Sequence, residues 1–156
     1  MFAICSSSRI FSRRAFSSGV RFFLAICKTS CAVLLFYTTQ EVYTKLGMVS
    51  VIHTPGHSPG HCCFYEPERN YLYSGDLIYK GSLDAFYPTT DPQLFYQSIR
   101  RIQKYKIKKV LPGHHQLDIP VSLIGDIEAG FAQLSRAGKL KQGNGLFEFR
   151  DFQIHI

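Results

Sequence analysis

Apolar and polar positions from residue 48 onward form short alternating runs bounded by turn residues. Residues 48–54 contain the β-branched Val51 and Ile52 and end at a Pro-Gly pair, a pattern that predicts a strand followed by a loop. Residues 61–65 and 70–74 are two short apolar and aromatic runs separated by four turn-forming residues, which predicts a β-hairpin. This part of the chain is therefore expected to contribute neighbouring strands to one sheet.

Two longer segments have the spacing of amphipathic helices. Asp91 and Pro92 are an N-cap residue and a proline at the first helical position, and the apolar spacing that follows predicts a helix over about 92–105. A second helix is expected over about 120–139, and short strands over 109–111 and within 146–156. Because strands alternate with helices, the fold class is predicted to be α/β.

Charge is distributed unevenly along the chain of 156 residues. Residues 1–40 contain five basic residues and no acidic one, so they account for +5 of the net charge of +7. The remainder is nearly neutral and has no basic stripe interleaved with aromatic residues, which argues against nucleic acid as a partner.

Residues 1–42 are predicted to be a poorly ordered N-terminal extension, and residues 43–156 to be the domain. The Arg-rich, Ser-rich and acid-free start is typical of an organelle transit peptide, and the apolar stretch after Arg21 resembles a signal core. A third interpretation is that the stretch does not belong to the domain that follows it, as with a wrongly assigned start. Lys28 interrupts the apolar stretch, so no membrane-spanning helix is expected.

Cysteine usage indicates the redox environment. The chain has five cysteines, an odd number, and none of them form a Cys-x-x-Cys pair. Adjacent Cys62 and Cys63 point to opposite faces of a strand, so a disulfide framework is not expected. A reducing, cytoplasmic location follows, with an organelle as the alternative if residues 1–40 are a transit peptide.

Three histidines lie within nine residues of the segment His-Thr-Pro-Gly-His-Ser-Pro-Gly-His that runs from His53 to His61. Two Pro-Gly pairs exclude a helix here, so the segment is a loop after a strand. Metal sites recruit histidine from rigid loops of this kind, although each imidazole could also serve only as a hydrogen-bonding loop residue.

Two further polar residues follow predicted strands. Asp76 follows the second hairpin strand, and His114 follows the strand at 109–111. Together with a histidine from the loop they form a mixed nitrogen and oxygen donor set, which suits Zn²⁺.

These motifs resemble those of the metallo-beta-lactamase-fold hydrolase superfamily, which includes glyoxalase II-like thioesterases. The Thr-Pro-Gly-His-x-x-Gly-His loop, Ser74-Gly75-Asp76 and Gly113-His114 match the family's motifs in order, over about residues 48–156. The resemblance implies a partial αβ/βα sandwich with His57 and His114 as ligands of two Zn²⁺ ions. Asp76 would be the catalytic carboxylate that bridges the metals. The implied reaction is hydrolysis of a small-molecule acyl substrate (a thioester, lactone or ester) by a metal-bound hydroxide.

The other histidines of the region have supporting roles in this interpretation. His61 is expected to orient the loop or to donate a hydrogen bond to a carbonyl rather than to bind metal. His53 and His115 are expected either to support the ligands or to face the substrate.

One motif of the family is missing from the sequence. No histidine precedes His53, so the family's His-x-His-x-Asp-His segment is absent. Each half of the metal site would then have only two protein ligands, whereas a catalytic zinc site has three and a water. We therefore expect a truncated and impaired hydrolase. The alternative is an inactive fragment that retains the fold as a binding or structural module.

Overall fold

The computed structural model describes residues 40–44 and 47–156, which form eight strands and two helices. The bounds of the strands are β1 Gln40–Thr44, β2 Gly47–His53, β3 Cys62–Glu66, β4 Tyr71–Gly75, β5 Ser82–Asp84, β6 Lys109–Pro112, β7 Leu146–Glu148 and β8 Gln153–His155. The helices are α1 Pro92–Ile102 and α2 Leu123–Arg136. The α/β prediction is confirmed.

The strands belong to two sheets. The larger has the order β1-β2-β3-β4-β6, and the smaller has the order β5-β8-β7. Within the larger sheet only β4 and β6 are parallel. The hairpin predicted for residues 61–74 is present as β3 and β4. The sequence did not predict β1, which runs across the expected boundary between residues 42 and 43, nor β5.

Helix α1 begins where the sequence predicts and ends earlier. The Asp91 side chain accepts hydrogen bonds from the backbone N–H groups of Gln93 and Leu94, at 2.9 and 3.0 Å. The helix was expected to reach residue 105 but ends at Ile102. The reason is tertiary: the Tyr105 ring packs against Tyr65, with ring centroids 4.9 Å apart, and the Tyr65 hydroxyl donates to the Lys106 carbonyl.

Helix α2 is also shorter than the predicted 120–139. Its end is a Schellman motif: Gly138 has a φ of +68° and donates to the Ser135 carbonyl, while the Lys139 N–H donates to the Leu134 carbonyl. At the other end, the Pro120 carbonyl accepts a hydrogen bond from the Leu123 N–H, and the Val121 carbonyl accepts one from the Ile124 N–H. These bonds form a turn that leads into the helix. The apolar spacing that predicted the helix over 120–139 therefore continues into the turns at both ends of α2.

The core lies between one face of the large sheet and the two helices. Alternate strand residues face it, and the buried helix residues complete the same cluster; its largest fully buried members include Ile52, Leu72, Phe95, Ile99, Ile102, Ile127 and Phe131. The Phe95 and Phe131 rings stack with centroids 5.0 Å apart and join α1 to α2. This stacking holds α1 against α2.

The opposite face of the large sheet is apolar and partly exposed. The register aligns Val51, Phe64, Tyr73 and Leu111 in one row across four strands. Tyr73 is 38% exposed, and an open groove of about 430 Å³ is lined by Phe64, Tyr73 and Leu111 of this row and by Leu117. An under-covered apolar face is what the partial sandwich predicts.

Within the described residues, no helix has both the length and the apolar character needed to cross a bilayer.

We predict that Phe131→Ala lowers the free energy of unfolding by about 3–5 kcal/mol, because it removes a fully buried ring that joins the two helices. Urea denaturation at pH 7 measures the change. Leu146→Ala is the control, since Leu146 is 50% exposed, and it should change stability by no more than about 0.5 kcal/mol. Equal losses in the two variants would contradict the packing described.

Candidate functional site

Three chain segments bring polar side chains to one edge of the large sheet. His57 lies in the loop after β2, Asp76 directly follows β4, and His114 lies two residues after β6. Since β4 and β6 are parallel, their carboxyl ends meet at the same edge, where Gly75 pairs with Pro112. The topology therefore places Asp76 beside His114.

Two glycines allow this close approach. The Gly113 N–H donates to the Gly75 carbonyl at 3.0 Å, and a Cβ on Gly113 would lie only 3.3 Å from the Gly75 backbone. Gly75 has a φ of +53°, and a Cβ there would lie 2.7 Å from His61 Nε2. A side chain at either position would push the strand ends or His61 away from Asp76.

The two carboxylate oxygens of Asp76 face one imidazole each. His114 Nε2 lies 2.6 Å from Oδ1, and His57 Nε2 lies 3.7 Å from Oδ2. His114 is largely exposed at 63%, whereas His57 and Asp76 are both 28% exposed. The structure thus brings together the three residues that the sequence singled out as ligands, with Asp76 in the middle. Their role as metal ligands stays a prediction.

A backbone carbonyl orients His57. Its Nδ1 lies 3.3 Å from the carbonyl oxygen of Asp84, the last residue of β5. Because a carbonyl only accepts, Nδ1 carries the proton in this contact, and the ring directs Nε2 toward Asp76. The smaller sheet supports this contact, since Asp84 pairs with His155 of β8.

The donor types fit a zinc ion, but of the two distances between an imidazole nitrogen and an Asp76 oxygen only one fits a shared ion. Two ligand atoms of one tetrahedral Zn²⁺ lie roughly 3.3–3.5 Å apart, given Zn–N and Zn–O distances of about 2.0–2.2 Å. The separation of 3.7 Å between His57 and Asp76 is close to this value, whereas 2.6 Å between His114 and Asp76 is a direct contact. An ion at the second position requires the exposed His114 ring to move outward. Among the described residues, no three His, Cys, Asp or Glu side chains converge closely enough to hold one metal ion.

His61 connects the loop to Asp76. Its Nδ1 lies 3.0 Å from the Thr54 carbonyl oxygen, and its Nε2 accepts a hydrogen bond from the Asp76 backbone N–H at 3.1 Å. Burial lowers the pKa of His61, which favours the neutral ring that these two contacts need. His61 contacts the backbone of Asp76, and its supporting role remains a prediction.

Helix α1 holds the loop in place. The Ser98 hydroxyl donates to the Pro55 carbonyl at 2.7 Å, and the Asp91 N–H donates to the Gly56 carbonyl at 2.8 Å. Arg101 donates to the His53 carbonyl at the start of the loop. The loop therefore has anchors on both the helix and the sheet, which limit the movement of His57.

The remaining histidines lie outside this trio. His53 Nε2 lies 2.8 Å from the Pro59 carbonyl oxygen, within the loop. His115 has a φ of +62° and stacks on Tyr79. His155 stacks on Phe86, with ring centroids 3.9 Å apart. The sequence carries no signal for the contact of the Asp84 carbonyl with His57.

Comparison with known proteins shows which family this region resembles. Residues 40–114 match the family model of the metallo-beta-lactamase superfamily. An acyl-coenzyme A thioesterase, MBLAC2 of Gallus gallus, is 34% identical over 73 residues, which are 44% of this chain and 26% of that protein. A hydroxyacylglutathione hydrolase of Enterobacter sp. (strain 638) is 34% identical over 67 residues, covering 43% of this chain and 26% of that protein. The chain thus spans about a quarter of the length of these relatives.

A solved structure has the same fold. It is a metallo-beta-lactamase family protein from Thermus thermophilus, with a TM-score of 0.53 and 23% sequence identity. The similarity covers 63% of this chain and 35% of that one. The predicted partial metallo-beta-lactamase sandwich is therefore confirmed as the fold.

We predict that Gly56→Ala destabilises the chain by more than about 1 kcal/mol, because a side chain is strained at positive φ. Gly56 has a φ of +143°, and a Cβ there would lie 2.3 Å from the Cα of Phe95. Gly60 occupies the second Pro-Gly pair of the same loop and has no heavy atom within 4 Å of its Cβ position. Gly60→Ala is the matched control, and its effect in urea denaturation should stay within about 0.5 kcal/mol. Similar losses would show that α1 does not confine the loop.

Proposed function

We propose, from the match of residues 40–114 to the family model of the metallo-beta-lactamase superfamily, that the chain supports metal-dependent hydrolysis of an acyl substrate. The metal proposed is Zn²⁺, and the residues proposed to hold it are His57, Asp76 and His114. The observation that carries the proposal is the position of Asp76, whose two oxygens face an imidazole nitrogen on each side.

The chain's own residues account for the arrangement of the donors. Asp76 presents one carboxylate oxygen to each side, so a single side chain can serve two positions. His57 keeps its Nε2 toward Asp76 because its Nδ1 donates to the Asp84 carbonyl. His61 holds the Asp76 backbone through the N–H group. A bound zinc ion would lower the pKa of a water molecule and polarise the substrate's carbonyl.

The proposed substrate class follows from the relatives. One of them is named as an acyl-coenzyme A thioesterase and another as a hydroxyacylglutathione hydrolase. We extend this to a small acyl compound, that is, a thioester, a lactone or another ester. The open groove beside the site is lined with apolar residues, including Phe64 and Leu111, and such a surface suits the hydrocarbon part of an acyl group.

The number of donors limits the activity we propose. Each side of Asp76 has one imidazole in the described part of the chain, so each metal position has two protein ligands. Two ligands bind zinc weakly, and we expect low occupancy and low turnover in this chain. The alternative is a binding or structural module that retains the fold without catalysis.

We predict that the purified chain, given excess Zn²⁺ and then desalted, retains less than two zinc ions per chain and hydrolyses a generic thioester only slowly. Asp76→Asn keeps the size of the side chain and removes its charge, and we expect zinc affinity to fall at least about tenfold. Elemental analysis and a thiol-release assay provide the two measurements.

Asp118→Asn is the matched control, because Asp118 is exposed and lies outside the trio. Zinc binding that is equal in the two variants would contradict the proposal. A stoichiometry near two with rapid turnover abolished by Asp76→Asn would show that our ligand count is wrong. A chain that stays folded without zinc and shows no turnover would favour the alternative, a binding or structural module.

A further inference from the structure

Two adjacent imidazoles compete for the position beside Asp76. His114 and His115 follow β6 after Gly113, and their ring centroids are 6.2 Å apart. Only the His114 ring contacts Asp76, at 2.6 Å. A short flexible turn would let either ring reach the carboxylate, so some feature of the fold must discriminate between them.

The Tyr79 ring contacts both histidines. It stacks on His115 with a centroid distance of 5.3 Å and an interplanar angle of 23°. It meets His114 edge-on, at 6.4 Å and 79°. Tyr79 is itself 4% exposed, so its ring is fixed by the surrounding core rather than by solvent-facing contacts. One rigid ring thus gives His115 a stacking surface and gives His114 an edge.

The Tyr79 hydroxyl is anchored in turn. It donates a hydrogen bond to the Ser82 carbonyl at the start of β5, at 2.5 Å. Burial raises the pKa of Tyr79 to about 12, so the hydroxyl keeps its proton and the hydrogen bond persists across the physiological range. Core packing therefore fixes the Tyr79 ring, and the hydrogen bond to Ser82 fixes its hydroxyl.

The backbone on both sides leaves room for this arrangement. His115 has a φ of +62°, a left-handed conformation that non-glycine residues adopt rarely. Gly81 has a φ of +139°, and a Cβ there would lie 3.3 Å from His115 Nε2 and 3.6 Å from the Tyr79 ring. Gly81 thus leaves free the space that the stacked His115 ring occupies.

We propose that Tyr79 is a positioning residue that holds His115 in a stacked position and thereby reserves the place beside Asp76 for His114. The part of this inference that concerns metal binding rests on the proposed function. The positions of the two rings can be tested without metal.

The first experiment uses NMR of the metal-free chain. Histidine ring resonances are assigned with His114→Gln and His115→Gln, and then compared in the parent chain, Tyr79→Phe and Tyr79→Leu. Stacking on Tyr79 predicts an upfield ring-current shift and cross-relaxation between the rings for His115. Both should persist in Tyr79→Phe, which keeps the ring, and disappear in Tyr79→Leu. Tyr43→Leu is the control, because Tyr43 is 78% exposed in β1, and it should change neither signal.

The second experiment asks which histidine supports zinc affinity. In the parent chain, His114→Ala should weaken Zn²⁺ binding at least about tenfold and His115→Ala less than about twofold. In the Tyr79→Leu background the released His115 ring competes, so the two losses should become comparable. A residue that only stabilised the fold would weaken binding in every variant without changing this ratio.

The outcomes separate the inference from the proposed function. His115 signals that do not respond to Tyr79→Leu, or an unchanged dominance of His114 in that background, overturn the inference. If no variant binds zinc while the His115 signals follow Tyr79, the proposed function fails and the positioning role of Tyr79 is supported.

Discussion

The parallel pairing of β4 with β6 determines the geometry of the whole site. Parallel strands bring their carboxyl ends to one edge, and here Gly75 and Gly113 allow the two backbones to meet within hydrogen-bonding distance. Asp76 and His114 follow those glycines directly, so their contact is a consequence of strand pairing rather than of a flexible loop. The crossover between β4 and β6 includes α1, which in turn anchors the loop that carries His57. One pairing thus links all three side chains.

The neighbourhood of Asp76 combines rigid and adjustable parts. His57 contacts the Asp84 carbonyl, and His61 contacts the Thr54 carbonyl and the Asp76 N–H. Hydrogen bonds to three segments of backbone therefore constrain the loop side. His114 is the most exposed of the trio and is positioned through its neighbour's stacking on Tyr79. A site of this kind can admit an ion by moving one side chain while the rest of the structure stays in place.

The sequence predicted those features that depend on local signals. Asp91 and Pro92 mark the start of α1 because capping is a local interaction, and Pro-Gly pairs mark the loop after β2 for the same reason. The end of α1 depends on Tyr65, a residue distant in the chain. Strand β5 has three residues, too few to carry a periodic pattern. The Asp84 carbonyl that orients His57 and the stacking of Tyr79 on His115 arise only after distant segments pack together, and no residue pattern encodes either.

X-ray absorption spectroscopy of the zinc-loaded chain tests the central claim, that Asp76 and its two flanking imidazoles form the metal-binding site. The account predicts nitrogen and oxygen neighbours at about 2.0–2.2 Å together with the outer-shell scattering of imidazole, and loss of the imidazole signal in the His57→Ala and His114→Ala double variant. Half-buried Cys62 borders the same groove and offers the competing ligand. A sulfur neighbour at about 2.3 Å, or an imidazole signal that survives the double variant, would contradict the account.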